Sequence, residues 1–259
     1  MSSLPEVVRR RLGERPTDLT RLGSSRVLQG NGYVVKVGPQ HRIARETYVL
    51  RDLRQRLPLA VPELVDIGEG WMLLTDVGPD DPPGRWSPVP MRDLAALHRE
   101  FTADPAVDHP SLADPFGAPR MAGPPLPAPL DALAADPSPL VAALADLPVT
   151  LVHGDAWHGN LLWRGGRPWW LDWEEASRAP AVADLATWLY GTPFVAPSPA
   201  PAADLAAYEQ AYGPVDRRAL EAAYLLLFLT LDVPVLSEIR NAAHVVADRA
   251  ARAARWLDG

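Results

Sequence analysis

The stretch Leu151–Glu174, LVHGDAWHGNLLWRGGRPWWLDWE, constrains this chain more than any other. An apolar run ends in a polar loop that holds His153, Gly154, Asp155, His158 and Asn160. A second run turns at Arg164-Gly165-Gly166-Arg167, a tight-turn signal, and returns through Trp169-Trp170-Leu171 to Asp172. The pattern predicts strand, loop, strand, turn and strand. Two carboxylates and a carboxamide then sit at the ends of apolar runs, brought together by one hairpin. That is a way to build a base and a divalent-metal site on a stiff support.

The chain ahead of this stretch reads mainly as β-structure with one helix. Residues 4 to 13 form a short amphipathic helix with Leu4, Val7, Val8 and Leu12 on one side. The runs Leu19 to Gln29 and Tyr33 to Val37 flank Gly30-Asn31-Gly32, a hairpin signal because Gly and Asn tolerate positive φ. Gly23-Ser24-Ser25 is a turn whose backbone N–H groups could suit phosphate, but taken alone it reads first as a plain turn. Lys36 interrupts a β-branched run, where a lysine ordinarily faces solvent. A helix follows over Ile43 to Leu57, with Ile43, Thr47, Leu50, Leu53 and Leu57 at helical spacing. Packed beside the strand, it would pair Glu46 with Lys36 and aim the ammonium at phosphate oxygens. Strands over Val61 to Gly68 and Trp71 to Val77 turn at Glu69-Gly70.

The breaker cluster Gly78-Pro79-Asp80-Asp81-Pro82-Pro83-Gly84 sets the expected boundary, with a small lobe over 1–77 and a larger one over 78–259. Met91 to Phe101 is a helix whose face holds Leu94, Leu97, a half-buried His98 and Phe101. Residues 102–138, rich in Pro, Ala and Asp, read as a loop or insertion with short helices, of the kind that forms lids or binding segments. Helices are expected from Pro139 to Asp146, from Ala181 to Gly191, and near 202–212, 216–232 and 238–257, with a Pro-rich loop at 193–201.

Composition removes several classes. No cysteine is present, so there is no disulfide framework and no thiolate nucleophile or zinc site. No apolar run is long enough to span a bilayer, and the charged MSSLPEVVRRRLGERP start lacks a signal-peptide core. Residence in the cytoplasm, without membrane attachment, is the resulting expectation. A net charge of −7 argues against a nucleic-acid partner and is compatible with a cationic substrate.

Taken in order, Lys36, Glu46, Asp93-Leu94-Ala95-Ala96-Leu97-His98, His153-Gly154-Asp155…Asn160, Leu171-Asp172-Trp173-Glu174 and Ala183-Asp184-Leu185-Ala186 resemble the aminoglycoside phosphotransferase family. These are the small-molecule relatives of the protein kinases, and the resemblance runs from about residue 20 to 190. It implies an α+β, two-lobed protein-kinase-like fold with a β-rich first lobe and a mostly helical second. It implies ATP- or GTP-dependent O-phosphorylation of a small hydroxylated acceptor with Mg2+. Asp155 would be the catalytic base. Asn160 and Asp172 would hold the metal. Ser24, Ser25, Lys36, Glu46 and the hinge Thr75-Asp76-Val77 would hold the nucleotide, although the full Gly-x-Gly-x-x-Gly loop of protein kinases is missing. His153 and Asp184 would support the catalytic loop, with Asp184 accepting its N–H groups. His158, Glu174 and Glu175 would be open to the acceptor, or a loop-packing histidine and a solvated acidic turn. The acceptor class is an aminoglycoside or related antibiotic, with a sugar, amino alcohol or biosynthetic metabolite as the alternative. A monomer or homodimer is expected. A metal-dependent hydrolase using His153, Asp155, His158 and Asp172 would leave Lys36 and Glu46 unexplained. A non-catalytic nucleotide-binding module would not need Lys36, Asp155, Asn160 and Asp172 all together.

Overall fold

The computed structural model describes residues 4–20, 25–112, 114–116, 125–238 and 242–258. In chain order it begins with helix α1 (Glu6–Leu12) and strands β1 (Thr17–Asp18), β2 (Arg26–Gly30) and β3 (Tyr33–Val37). Helix α2 (Gln40–Thr47) precedes β4 (Leu64–Gly68) and β5 (Trp71–Thr75). Next come α3 (Val89–Glu100), α4 (Ala128–Ala135), α5 (Ser138–Leu144) and β6 (Val149–Val152). The central stretch supplies β7 (Leu161–Arg164) and β8 (Arg167–Trp170), followed by β9 (Ser177–Pro180). Helices α6 (Val182–Tyr190), α7 (Pro201–Tyr212), α8 (Arg217–Leu227) and α9 (Ala242–Asp258) complete the chain. No helix among the described residues is long and apolar enough to cross a membrane.

Contacts divide the chain into two compact units, residues 1–89 with 159–176, and residues 90–158 with 177–259. The first unit is built on an antiparallel sheet of order β1-β2-β3-β5-β4. The β2–β3 turn is Asn31 and Gly32, at φ of 48° and 77°. A two-residue loop with both φ positive follows the natural strand twist. Helix α1 seals one face by burying Leu4, Val8 and Leu12 against Leu28, Val35 and Leu73. The approach is so close that a Cβ on Gly30 would stand 2.1 Å from the Leu12 carbonyl oxygen.

The expected helix over 43–57 is present but not uniform. The α-helical part, α2, gives way to a π turn at Tyr48–Asp52 and a 3-10 turn at Arg54–Arg56. The hairpin β7–β8 turns on Gly165 and Gly166, both left-handed, and pairs Leu161 with Trp170 and Arg164 with Arg167. It belongs to the first unit because its backbone is bonded there. Trp170 N–H donates to the Ala60 carbonyl at 2.8 Å, and Asp81 N–H to the Trp163 carbonyl at 2.8 Å. Trp163 N–H donates to Asp80 Oδ1 at 2.7 Å, and Arg164 donates to the Val77 carbonyl. The segment after Thr75 is therefore stitched to the hairpin, and the breaker cluster at 78–84 lies inside this unit.

The second unit is mainly helical. Helix α8 packs on α5 and α6, and α4 packs on α9. Helix α3 buries Leu94, Leu97 and His98. Strand β6 pairs antiparallel with β9, from Val149 opposite Pro180 to Val152 opposite Ser177. Residues 177–180 carry no strand signal in the sequence, and β6 supplies the pairing. The interval 102–138 contains a 3-10 turn at Pro105–Asp108 and α4, and part of it lies outside the described residues.

Candidate functional site

Lys36 leaves β3 on the face that α2 covers, and its side chain is buried rather than solvated. Its ammonium meets three carboxylates: Glu46 at 2.8 Å, Glu174 at 2.7 Å, and Asp172. Burial alone would push the ammonium down, but Glu46, Asp172 and Glu174 hold it well above the usual lysine range, so it stays charged. Burial pushes Glu46 up, and Asp172 and Glu174 add to that. The carboxylate oxygens of Glu46, Asp172 and Glu174 lie within 4.8 Å of one another, a spacing that also suits a cation. Here the cation is the Lys36 ammonium.

These groups line a cavity of about 350 Å3 in the first unit. Val27, Val34, Leu74, Leu162 and Leu171 form its apolar wall, and Ser25, Asn160, Asp172 and Glu174 its polar side. Thr75, Asp76 and Val77 also line it. Asp76 is a fixed corner: its N–H donates to the Gly32 carbonyl at 2.9 Å, and its carboxylate accepts from Gln29 Nε2 and Gly78 N–H, each at 2.8 Å. An apolar slot beside an ordered backbone edge, ending in a cation and hard oxygen donors, suits a nucleotide.

Asp172 follows β8 at φ 64°, ψ 61°, a left-handed conformation that costs a non-glycine residue on the order of 1–3 kcal/mol. The hairpin closes beneath it, where Leu171 N–H donates to the Asn160 carbonyl at 2.9 Å. Asn160 sits in the 3-10 turn His158–Asn160. A carboxamide oxygen and a carboxylate lining one cavity are hard donors, so these residues fit a hard divalent cation.

Glu174 is not a solvated turn residue. Its Oε2 accepts from Ser25 Oγ at 2.7 Å and faces the Lys36 ammonium, and its Oε1 accepts from Arg42 Nη1 at 2.8 Å. Burial pushes its carboxyl up, but Lys36, Ser25 and Arg42 hold it below the usual glutamate value. Glu175 pairs with Arg42 at 2.9 Å and with Arg45 at 3.1 Å. Arg42 and Arg45 escaped the sequence reading. Their three-residue spacing puts them on one face of α2 but carries no sign of their partners, about 130 residues away. Ser24 lies outside the described residues.

Asp155, His153, His158 and Asp184 lie in the second unit. Gly154 takes φ 82°, which bends the loop just before Asp155. Asp155 N–H donates to His153 Nδ1 at 3.3 Å. Asp184, fully buried, accepts from His153 N–H at 2.7 Å and Gly154 N–H at 2.9 Å. It also meets His98 Nε2 at 3.1 Å, and His98 Nδ1 lies 2.8 Å from the Tyr208 hydroxyl. A carboxylate only accepts, so Nε2 carries a proton; in the neutral ring Nδ1 then accepts from Tyr208. The loop bearing Asp155 is thus anchored by a buried chain running from α6 through α3 to α7. The sequence singles out Asp184 as an acceptor for this loop but gives no sign of the bonds from His98 and Tyr208. His158 is exposed and packs edge-on against Trp157 at 5.2 Å between ring centroids.

The model of the phosphotransferase enzyme family (APH) matches residues 23–223. No curated protein sequence matches significantly. Among solved structures, a choline/ethanolamine kinase family protein from Mesorhizobium loti has a TM-score of 0.69 at 19% identity, covering 100% of this chain and 92% of that one. A thermostable mutant of an aminoglycoside phosphotransferase, solved with ADP and hygromycin B, has a TM-score of 0.62 at 18% identity, covering 99% and 98%. An amicoumacin kinase, solved with AMP-PNP, Ca2+ and Ami, has a TM-score of 0.61 at 17% identity, covering 93% and 86%. At these identities the likeness shows the α+β protein-kinase-like fold.

Proposed function

The chain belongs to the phosphotransferase enzyme family and is a small-molecule kinase, and on that premise we propose that it transfers the γ-phosphoryl group of ATP or GTP to a hydroxyl of a small, cationic acceptor. The observation that carries the reading is the caged Lys36, held by Glu46 and Asp172 in the cavity that Asn160 shares. In the proposed mechanism, Lys36 contacts the α- and β-phosphates and Ser24 and Ser25 cover them. The backbone over Thr75 to Val77 pairs with the purine. Asn160 and Asp172 would hold Mg2+, which neutralises charge on the phosphate oxygens.

Asp155 orients the acceptor hydroxyl and takes its proton. The oxygen then bonds to the γ-phosphorus as the bond to the bridging oxygen breaks, and the nucleoside diphosphate leaves with that electron pair. An ordinary carboxylate suffices because the transition state is loose and positioning matters more than basicity. His153 and Asp184 hold the loop that carries Asp155. The sequence boundary after residue 77 is replaced by the contact grouping: residues 1–89 with 159–176 are proposed to hold nucleotide and metal, and residues 90–158 with 177–259 to supply Asp155 and the acceptor site.

An aminoglycoside or related antibiotic is the favoured acceptor. The net charge of −7 and the solved relatives that bind hygromycin B and Ami support it. An amino alcohol is the second reading, supported by the likeness to a choline/ethanolamine kinase family protein. A nucleotide-consumption assay across aminoglycosides, other antibiotics, sugars and amino alcohols tests the assignment. The expected result is turnover with a cationic acceptor and a loss of about 10^2- to 10^4-fold in kcat for Asp155→Asn, with ADP affinity retained. Unchanged turnover in Asp155→Asn would sink the mechanism.

A further inference from the structure

We infer that Trp157 and His158 form the corner that receives a hydroxylated ring of the acceptor beside Asp155, with the Trp157 indole N–H donating to one of its oxygens. The inference rests on the kinase reading above and narrows the acceptor to a cyclic polyol of the amino-sugar or aminocyclitol class. An indole N–H donates and cannot accept, so a buried one needs a single acceptor. Three others in this chain have theirs. Trp173 Nε1 donates to the Trp170 carbonyl at 3.2 Å, Trp188 Nε1 to Asp204 Oδ2 at 2.8 Å, and Trp256 Nε1 to the Arg218 carbonyl at 3.3 Å. Trp157 Nε1 is buried and has none among the described residues. Arg249 Nε shares that condition, but its guanidinium bonds Asp248 through Nη1 and lies over the Tyr224 ring. The indole has no second donor, and a buried donor left unpaired is costly.

The position of Trp157 in the loop points to the acceptor. The backbone turns Ala156 fully inward and leaves Asp155 and Trp157 part-exposed and His158 exposed. Asp155 and Trp157 are two residues apart, at most about 7 Å along the backbone. A molecule whose hydroxyl meets Asp155 therefore brings its neighbouring atoms to Trp157.

The Trp157 and His158 rings stand 5.2 Å apart between centroids, at 71° to each other. Two planes at that angle make an open corner. A saturated ring packs its flat C–H face on one plane and carries its hydroxyls at the rim, where the indole N–H and the imidazole nitrogens hydrogen-bond. An amino alcohol spends its single hydroxyl at Asp155 and has no oxygen left for the indole. A cyclic polyol has several, held at fixed spacing. Trp157 is thus a specificity-determining residue, with His158 as the second wall of the corner.

Steady-state phosphorylation of hygromycin B, glucosamine, myo-inositol and choline tests this on wild type, Trp157→Phe and Trp157→Leu, with thermal melts to confirm folding. Phe keeps a flat face and removes the N–H, and Leu removes both. Wild type is expected to turn over a ring compound with kcat/KM about tenfold or more above choline. On that compound, Trp157→Phe is expected to raise the acceptor KM about tenfold and Trp157→Leu about 100-fold, with the nucleotide KM unchanged. Among singly deoxygenated analogues of the same ring, one is expected to lose about tenfold in wild type and nothing in Trp157→Phe, a pattern that loop packing does not produce. Choline as the preferred acceptor, no transfer to any ring compound, or a Trp157→Phe variant with wild-type acceptor KM or an equal rise in nucleotide KM would overturn the inference and leave the kinase reading intact. Failure of the wild type to bind ADP with Mg2+ would overturn both.

Discussion

Lys36 has two opposite readings at the scale of one residue. In an isolated strand a lysine sits on the wet face, and alternation alone would place it there. The helix behind β3 reverses this, since Glu46 on α2 gives the ammonium a buried partner at 2.8 Å. The order strand-lysine, helix-glutamate was therefore legible. The grip of Glu174, Arg42 and Arg45 was not, because it depends on how Trp173–Glu175 meets α2 and no spacing encodes that. The pair makes a stability prediction. Lys36→Met would leave Glu46 buried without its cation, at a cost of about 3–5 kcal/mol. Adding Glu46→Gln to that variant should recover part of the loss, since the orphaned charge is gone. Denaturant titration of both variants checks it, and an additive double variant would show that the two groups are not coupled.

Elements were legible where the turn chemistry is local. Asn31-Gly32 and Gly165-Gly166 each adopt the paired left-handed geometry their residues favour, and the strands on either side follow. Strand β9 was not legible because Ser177-Arg178-Ala179-Pro180 becomes a strand only through β6. The Pro-rich segment after α6 reads as a plain loop in sequence, yet it is pinned. Trp188 Nε1 donates to Asp204 Oδ2 at 2.8 Å, the Ser198 hydroxyl bonds the same carboxylate, and Ser198 N–H donates to the Trp188 carbonyl at 3.0 Å. Gly191 makes the fold-back possible. It sits at φ 68°, and a Cβ there would lie 2.3 Å from the Val195 carbonyl oxygen. Gly191→Ala should therefore destabilise by about 3 kcal/mol, combining backbone strain with a clash against main chain. Gly213→Ala, at φ 123° with nothing within 4 Å of the added Cβ, should cost less, about 1–2 kcal/mol. Thermal unfolding of the two variants side by side tests the difference, and equal shifts would remove the clash from the account.

At the scale of the whole chain, sequence order and contact order diverge. Residues 159–176 group with 1–89 because they hydrogen-bond the backbone of Ala60, Val77 and Asp81 and the Asp80 carboxylate, distant positions that leave no periodic trace. Burial of charge is equally silent in sequence, and Asp232 is the case with a global consequence. It ends the π turn Phe228–Asp232 after α8, and burial pushes it from the ordinary 3.8 up to about 7, with Arg249 opposing. Arg249 lies over the Tyr224 ring at 4.3 Å and the Phe228 ring at 5.7 Å, and its Nη1 also bonds Asp248, so its charge is shared. An acid whose folded value lies above its unfolded one binds its proton more tightly in the folded chain. Folding then takes up a proton between about 4 and 7, and stability falls as pH rises through that interval. Asp232→Asn removes the titration while keeping the shape. Its stability relative to wild type should therefore improve with pH, by about 2–3 kcal/mol between pH 5 and pH 8. Denaturant unfolding of both proteins at each pH isolates the effect, because every other group titrates equally in the two. A difference that stays flat between those pH values would mean Asp232 is ionised at ordinary cost in the folded chain.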